Sequence, residues 1–178
     1  MGIKNIEDIS EIRLAISSYD DIFSDFDPRE VSKRGLSEDF LSEIRRASKV
    51  KETEKIDFVF LVPRKNRNLK EESRIEERLK KYFKRHSGIL EIEKSKTIKS
   101  GINFIILGII LMFIATFLIF KFKNDNLIAS FFVILFEPAG WFLFWEGLHE
   151  LLFDSKNVNP NIEFHKKMAS ASINFVSV

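Results

Sequence analysis

Residues Ile102–Trp145 read INFIILGIILMFIATFLIFKFKNDNLIASFFVILFEPAGWFLFW, and this stretch decides the architecture. Its first 19 residues, Ile102 to Phe120, contain only Asn103 and Thr116 as polar members. As a helix they would span about 28 Å, close to the roughly 30 Å of a bilayer's hydrocarbon core. Lys96 and Lys99 precede the run, and Lys121 and Lys123 follow it. A second run, Leu127 to Trp145, is interrupted only by Ser130, Glu137 and Pro138. Its Leu, Ile, Phe and Val side chains favour insertion by roughly 3 to 7 kcal/mol in sum, and one ionised central carboxylate opposes it by about 2.5–3.5 kcal/mol. The second run therefore inserts, assisted by the first. The linker Lys121–Asn126 is short, which makes the two helices antiparallel neighbours.

Outside this stretch the composition changes. Of the 28 Lys and Arg in the 178-residue chain, 23 fall in residues 1–101, as do 20 of the 26 Asp and Glu. Of the 19 Phe, 11 fall between Ile102 and Phe153. Two different materials are joined in one chain. With 45% apolar residues and no Cys, intrinsic disorder and a disulfide framework are both excluded. The apolar runs start only after about 100 mostly polar residues, so a cleaved leader is not expected. The expected placement is the cell (inner) membrane, crossed twice, with both termini cytoplasmic.

The expected fold class is a membrane protein of α+β type: a small α/β cytoplasmic domain with a two-helix transmembrane hairpin. The domain is expected over residues 1–100. The hairpin is expected over 101–154, with helices at about 102–121 and 127–153. Residues 155–178 form a tail that returns a strand to the domain. Alternation of Ile12, Leu14 and Ile16 predicts a strand near 12–18. Ser37 predicts a helix N-cap, with Phe40, Leu41 and Ile44 facing inward. Asp57–Val62 (DFVFLV), closed by Pro63, predicts a buried strand. Asn68 predicts a second cap, followed by an apolar line of Ile75, Leu79, Tyr82 and Phe83 and by the i,i+4 pairs Glu76/Lys80 and Glu77/Lys81. Residues 88–100 fit either a strand or an extension of the first membrane helix. Ile162–Met168 fits a helix or a strand, and Ser172–Val178 (SINFVSV) predicts a strand. So small a core, and a hairpin with so little to cover it, favour a homo-oligomer.

Glu137 is the most informative single residue, because it falls near the bilayer midplane. A carboxyl there must be protonated, paired or facing water. Pro138 removes a helix hydrogen bond, and Gly140 and Gly147, a heptad apart, permit close helix approach. Two readings stand: an ion path lined by Glu137, Pro138 and Gly140, or a protonated Glu137 that ties helices together through Asn103, Thr116 or Ser130. Trp145 reads as an interfacial anchor and Trp141 as a deeper one packed on a neighbour. Glu146, His149 and Glu150 place carboxylates and an imidazole on one helix, which is half of a di-metal carboxylate ligand set. His86 and His165 fall in unrelated segments. Asp20, Asp21, Asp25 and Asp27 crowd one loop. They fit a cation or docking loop, or a turn in which Phe23 and Phe26 pack on the domain and Arg29 pairs locally.

Arg78–His86 (RLKKYFKRH) is basic, but residues 1–101 carry a net charge of only +3 and no nucleic-acid motif is present, so no nucleic acid is expected. Anionic headgroups or plain solvation of a helix end explain it. There is no Walker A, GxGxxG, GxSxG or HExxH, so neither an enzyme nor a cofactor is expected. The expected partners are the lipid bilayer, further copies of the chain and an inorganic ion. A metal-dependent membrane enzyme using Glu146, His149 and Glu150 is the weaker alternative. A membrane-anchored scaffold or sensor is the stronger one.

The segments Ser18–Arg29 (SYDDIFSDFDPR), Leu36–Ile44 (LSEDFLSEI) and Glu137–Leu148 (EPAGWFLFWEGL) resemble a group of small prokaryotic two-helix membrane proteins with a cytoplasmic α/β domain. The resemblance implies that the hairpin and the acidic loop belong to one architecture. It brings no activity and no site residues with it.

Overall fold

The computed structural model describes residues 9–29, 33–49, 55–123 and 125–178. Asn124, in the expected linker, lies outside the described residues. Strand β1 (Ile9–Ala15) leads through a 3-10 turn at Tyr19–Ile22 to helix α1 (Glu38–Lys49). Strand β2 (Lys55–Val62) and a 3-10 turn at Arg64–Asn66 follow. Helix α2 (Leu69–Phe122) is 54 residues long and helix α3 (Leu127–His149) is 23. A π-helical turn, Glu150–Asp154, joins α3 to the short α4 (Ser155–Asn157). The chain ends with α5 (Asn159–Ser170) and strand β3 (Ser172–Ser177).

It divides into two compact units, one running up to Ser87 and resuming at Glu163–Val178, the other Gly88–Ile162. In the first unit the three strands form a parallel sheet in the order β1-β2-β3. The tail supplies its third strand: Phe58 lies opposite Ile12 and Ile173, and Phe60 opposite Leu14 and Phe175. Period-2 alternation sends all of these to one face, where Phe40, Ile44, Ile75, Leu79, Phe83 and Met168 cover them. Phe60 is fully buried, with the rings of Phe175 at 5.1 Å and Phe40 at 6.0 Å. The opposite face carries Glu11, Arg13, Ser172 and Asn174, all exposed.

The caps act locally as their chemistry requires. Ser37 Oγ accepts from Phe40 N at 3.5 Å. Asn68 Oδ1 accepts from Lys70 N at 3.1 Å, and Asn126 Oδ1 accepts from Ile128 N at 3.0 Å and Ala129 N at 3.2 Å. Residues 88–100 are helical throughout, so α2 runs on without a break. Of the two expected i,i+4 pairs, Glu76–Lys80 forms at 2.7 Å. Glu77 and Lys81 instead line a cavity, each without an ion pair among the described residues.

In the second unit, four glycines set the packing of α2 on α3. A Cβ at Gly108 would meet Gly140 O at 2.6 Å and Phe144 N at 2.8 Å. A Cβ at Gly140 would meet Met112 Cγ at 2.7 Å, and one at Gly101 would meet Gly147 O at 2.9 Å. Gly101 thus faces Gly147 and Gly108 faces Gly140, an antiparallel register in which both helices repeat glycine every seven residues. Ala115 and Ala129 are buried as well. The side chains that these small residues displace point outward: Phe113 is 74% and Leu127 88% exposed. Both helical stretches are long and apolar enough to cross a membrane.

Candidate functional site

Glu137 and Pro138 are both exposed on α3, whereas Gly140 is buried against α2. The glycine face expected to bring Glu137 into a tight helix contact is therefore filled by the chain's own first helix. Glu137 has no hydrogen bond or ion pair among the described residues. Thr116, one of its expected partners, bonds the carbonyl of Met112 at 2.9 Å instead, and Asn103 is exposed. Pro138 has no N–H for the carbonyl of Ile134, one turn back. Ile134 is itself exposed, so that outward-facing flank of α3 carries a carboxyl and a carbonyl free of its helical partner. Trp141 and Trp145 stack with ring centroids 6.0 Å apart. Both are more than half exposed, and Trp141 also meets Phe144 edge-on at 6.3 Å.

Glu146, His149 and Glu150 do not converge. Glu146 is exposed, while His149 Nδ1 lies 3.6 Å from Asp154 Oδ2. Glu150 turns toward α2, where Ser100 Oγ donates to its Oε1 at 3.4 Å. Its Oε2 is buried without a hydrogen-bond partner among the described residues. In the acidic loop Asp20, Asp21 and Asp27 are taken up by local hydrogen bonds and ion pairs, while Asp25 is exposed. Asp21 accepts from Ser17 N at 2.6 Å and Ser18 N at 3.1 Å. Asp27 accepts from Gly35 N at 2.8 Å and pairs with Arg29 at 2.7 Å, and Asp20 pairs with Arg34 at 3.2 Å. The Arg29 guanidinium holds the Asp27 carboxyl well below the usual carboxylate range. Among the described residues no three His, Asp or Glu side chains stand together as a metal-ligand group. Phe23 is buried, but Phe26, expected to pack beside it, is 98% exposed.

The first unit contains a cavity of about 680 Å³ that no motif in the sequence marks. It opens beyond the carboxyl ends of β1 and β2. Ser18, Tyr19, Asp20 and Phe23 come from the segment after β1, Asn66 from the turn after β2, and Glu71, Arg74, Ile75, Glu77, Arg78 and Lys81 from α2. Ligands of open parallel sheets bind at this edge. Phe23 and Ile75 are buried and make an apolar floor. The Arg78 guanidinium lies 4.4 Å from the centroid of the Phe23 ring and donates to the carbonyl of Arg34. Burial, with Arg29 nearby, pushes Arg78 below the ordinary arginine value.

A buried polar knot fixes the wall. Tyr19 Oη donates to Glu72 Oε1 at 2.6 Å and accepts from Asn68 N at 2.9 Å, and Arg67 reaches Glu72 Oε2 at 2.9 Å. Burial alone would raise the Glu72 carboxyl. The hydrogen bonds from Arg67 and Tyr19 outweigh it and hold the group below its ordinary value. Burial and the bond to Glu72 push the Tyr19 hydroxyl up. His86 and His165, distant in sequence, meet with ring centroids 5.9 Å apart, and His86 Nδ1 lies 3.0 Å from the Tyr82 carbonyl.

No protein-family model, curated protein or solved structure matches the chain.

Proposed function

We propose that this chain is a two-pass integral protein of the inner membrane that assembles with copies of itself, and that Glu137 lines an ion path at the surface between protomers. The observation that carries this reading is the exposed carboxyl of Glu137, without a partner among the described residues, midway along the apolar run Leu127–Trp145. Facing hydrocarbon, an ionised carboxylate at mid-helix costs about 2.5–3.5 kcal/mol. A neighbouring copy that supplies a hydrogen-bond donor or a water-filled seam removes that cost. The hairpin's own glycine face is occupied, so the association surface is the flank bearing Glu137 and the free carbonyl of Ile134. In this reading the protein is not an enzyme, and both termini lie in the cytoplasm.

Ion flux through proteoliposomes tests it. Glu137→Gln should lower flux or change ion selectivity while the oligomer persists. Unchanged flux and selectivity would take the carboxylate out of the path. Absence of flux for the unaltered protein in every lipid and ion condition would remove the ion path altogether.

A second reading, a membrane-anchored interaction protein, is favoured by Phe26. Phe26 stands 98% exposed between Asp25 and Asp27, where a docked partner would cover its ring. Phe26→Ala would then abolish capture of a partner and leave proteoliposome behaviour unchanged.

A further inference from the structure

Three cations of α2, Arg74, Arg78 and Lys81, line the cavity at the carboxyl edge of the sheet. Their spacing of four and then three residues puts them within about 60° on one helix face. Arg78 is held in place by the Phe23 ring and the Arg34 carbonyl. Arg74 and Lys81 are exposed and make no ion pair with any described residue. Two of the acids in the lining, Glu71 and Glu77, flank the cationic stripe, and their carboxylates also lack ion pairs among the described residues. The third, Asp20, is tied to Arg34. Beneath the charges the floor is apolar, and the volume of about 680 Å³ suits a small organic molecule.

We propose that this cavity binds a terminal phosphate monoester carried on an apolar or aromatic body, and that it also takes hydroxyl or amine donors where the body bears them. Arg74 and Lys81 would hold the phosphate, with Arg78 as the fixed third charge. Phe23, Ile75 and Tyr19 would take the body. Glu71 and Glu77 would accept from its donors, as an acid at this edge of a parallel sheet accepts from a ribose hydroxyl. No glycine-rich phosphate loop is present, so the anion is held by side-chain charge rather than by backbone N–H groups. Such a site prefers a doubly charged terminal phosphate and discriminates little among bodies. The proposal is independent of the ion path, since every residue that it uses lies in the first unit.

Two sources carry this chemistry, a soluble nucleotide and a phosphatidic acid headgroup, and the test separates them. Full-length protein in phosphatidylcholine nanodiscs is titrated with adenosine monophosphate, adenosine or inorganic phosphate, and thermal shift and calorimetry are read. A second preparation replaces part of the phosphatidylcholine with phosphatidic acid. Arg74→Gln/Lys81→Gln removes two exposed charges and should leave the far-UV spectrum and the unliganded Tm unchanged. Saturable binding of adenosine monophosphate, weakened at least tenfold in that double variant and at least tenfold for adenosine, supports the proposal with a soluble source. A stabilisation seen only with phosphatidic acid and lost in the double variant supports it with a lipid source. Binding that is equal in the double variant, or absent for adenosine monophosphate and inorganic phosphate in both lipid compositions, overturns it. Glu71→Gln/Glu77→Gln takes two negative charges from beside the stripe, so inorganic phosphate should bind at least as tightly while the preference for adenosine monophosphate over inorganic phosphate falls; an unchanged or larger preference would refute the assignment of the two acids.

Discussion

Alanine at Gly108 or Gly140 reads the hairpin's register through the sign of a stability change. In a helix free of neighbours, glycine to alanine is stabilising by about 1 kcal/mol, because alanine has less backbone freedom to lose. Gly88 is such a position: a Cβ there meets nothing within 4 Å, so Gly88→Ala should raise Tm. At Gly108 the added carbon would sit 2.6 Å from Gly140 O and 2.8 Å from Phe144 N, where ordinary contact begins at 3.4 Å. The atoms in the way are backbone and cannot rotate aside, so the helices must part by roughly 0.5–0.8 Å. A gap of that size forfeits a quarter to a half of each dispersion contact across the seam. Over some 30 atom pairs of about 0.15 kcal/mol, the loss is about 1–2 kcal/mol, which cancels the helical gain of about 1 kcal/mol and leaves a net cost of up to about 1 kcal/mol. Because Gly108 and Gly140 face each other, the first substitution opens the space that the second needs. The double variant should therefore fall short of the sum of the singles by about 1 kcal/mol. Thermal unfolding in nanodiscs, followed by intrinsic Trp fluorescence from Trp141 and Trp145, measures all four proteins. If Gly108→Ala and Gly140→Ala stabilise as Gly88→Ala does, the two helices do not touch along this stripe, and the reasoning fails.

Three further outcomes follow from local geometry. Glu72 has its carboxyl held below the unfolded value, so its contribution to stability is complete above roughly pH 4.5 and is lost as pH falls through the folded value; Glu72→Gln should cost about 2 kcal/mol at pH 7 and flatten the acid limb of the stability curve, and an unchanged limb would deny it that role. Phe60→Ala removes a fully buried ring stacked on Phe175 and should cost about 3–5 kcal/mol by denaturant melting, whereas a cost below 1 kcal/mol would mean that the three-stranded core is not packed as described. Asn126→Ala leaves the N–H groups of Ile128 and Ala129 without their acceptor and should cost about 1 kcal/mol, with faster hydrogen exchange confined to the first turn of α3.

Composition made the two apolar helices legible, because Ile102–Phe120 and Leu127–Trp145 contain almost nothing that a soluble surface would need. The strand propensity of Asp57–Val62 and Ser172–Val178 was equally plain. What stayed hidden depends on tertiary pairing. Gly140 and Gly147 could be seen to mark a close contact, but not that Gly101 and Gly108 answer them, since a glycine inside an apolar run looks the same whether or not a backbone lies against it. In residues 88–100, Leu90 and Ile92 alternate with Glu91 and Glu93 as in a strand, over too few residues to decide between strand and helix. They are helical because elongation from helix already formed on either side is cheap, whereas nucleation is costly. Phe23 and Phe26 were equivalent in sequence, yet only Phe23 lies under Arg78. The cavity could not be read because Tyr19, Asn66 and Arg74 come from separate segments that only the parallel sheet brings together.

The same sheet explains how so long an insertion can be carried. Pairing β2 with β3 closes a connection running from Pro63 to Ala171, on the order of 110 residues, where an ordinary parallel crossover uses about 30. Loop-closure entropy grows only as the logarithm of length, so the added residues cost about 1 kcal/mol. The hairpin returns part of that: once Gly101 faces Gly147, the chain between them no longer counts as loop, a gain of about 0.5 kcal/mol. The larger effect concerns the core. Met168, Ala171 and Ile173 belong to the same buried cluster as Ile12, Phe58 and Phe60, the partly buried Phe175 packs against it, and all four follow the hairpin in the sequence. Residues 1–100 alone would leave one edge of β2 unpaired and Phe60 without the ring that stacks on it most closely. The α/β unit therefore has no complete core until the hairpin has been made and passed.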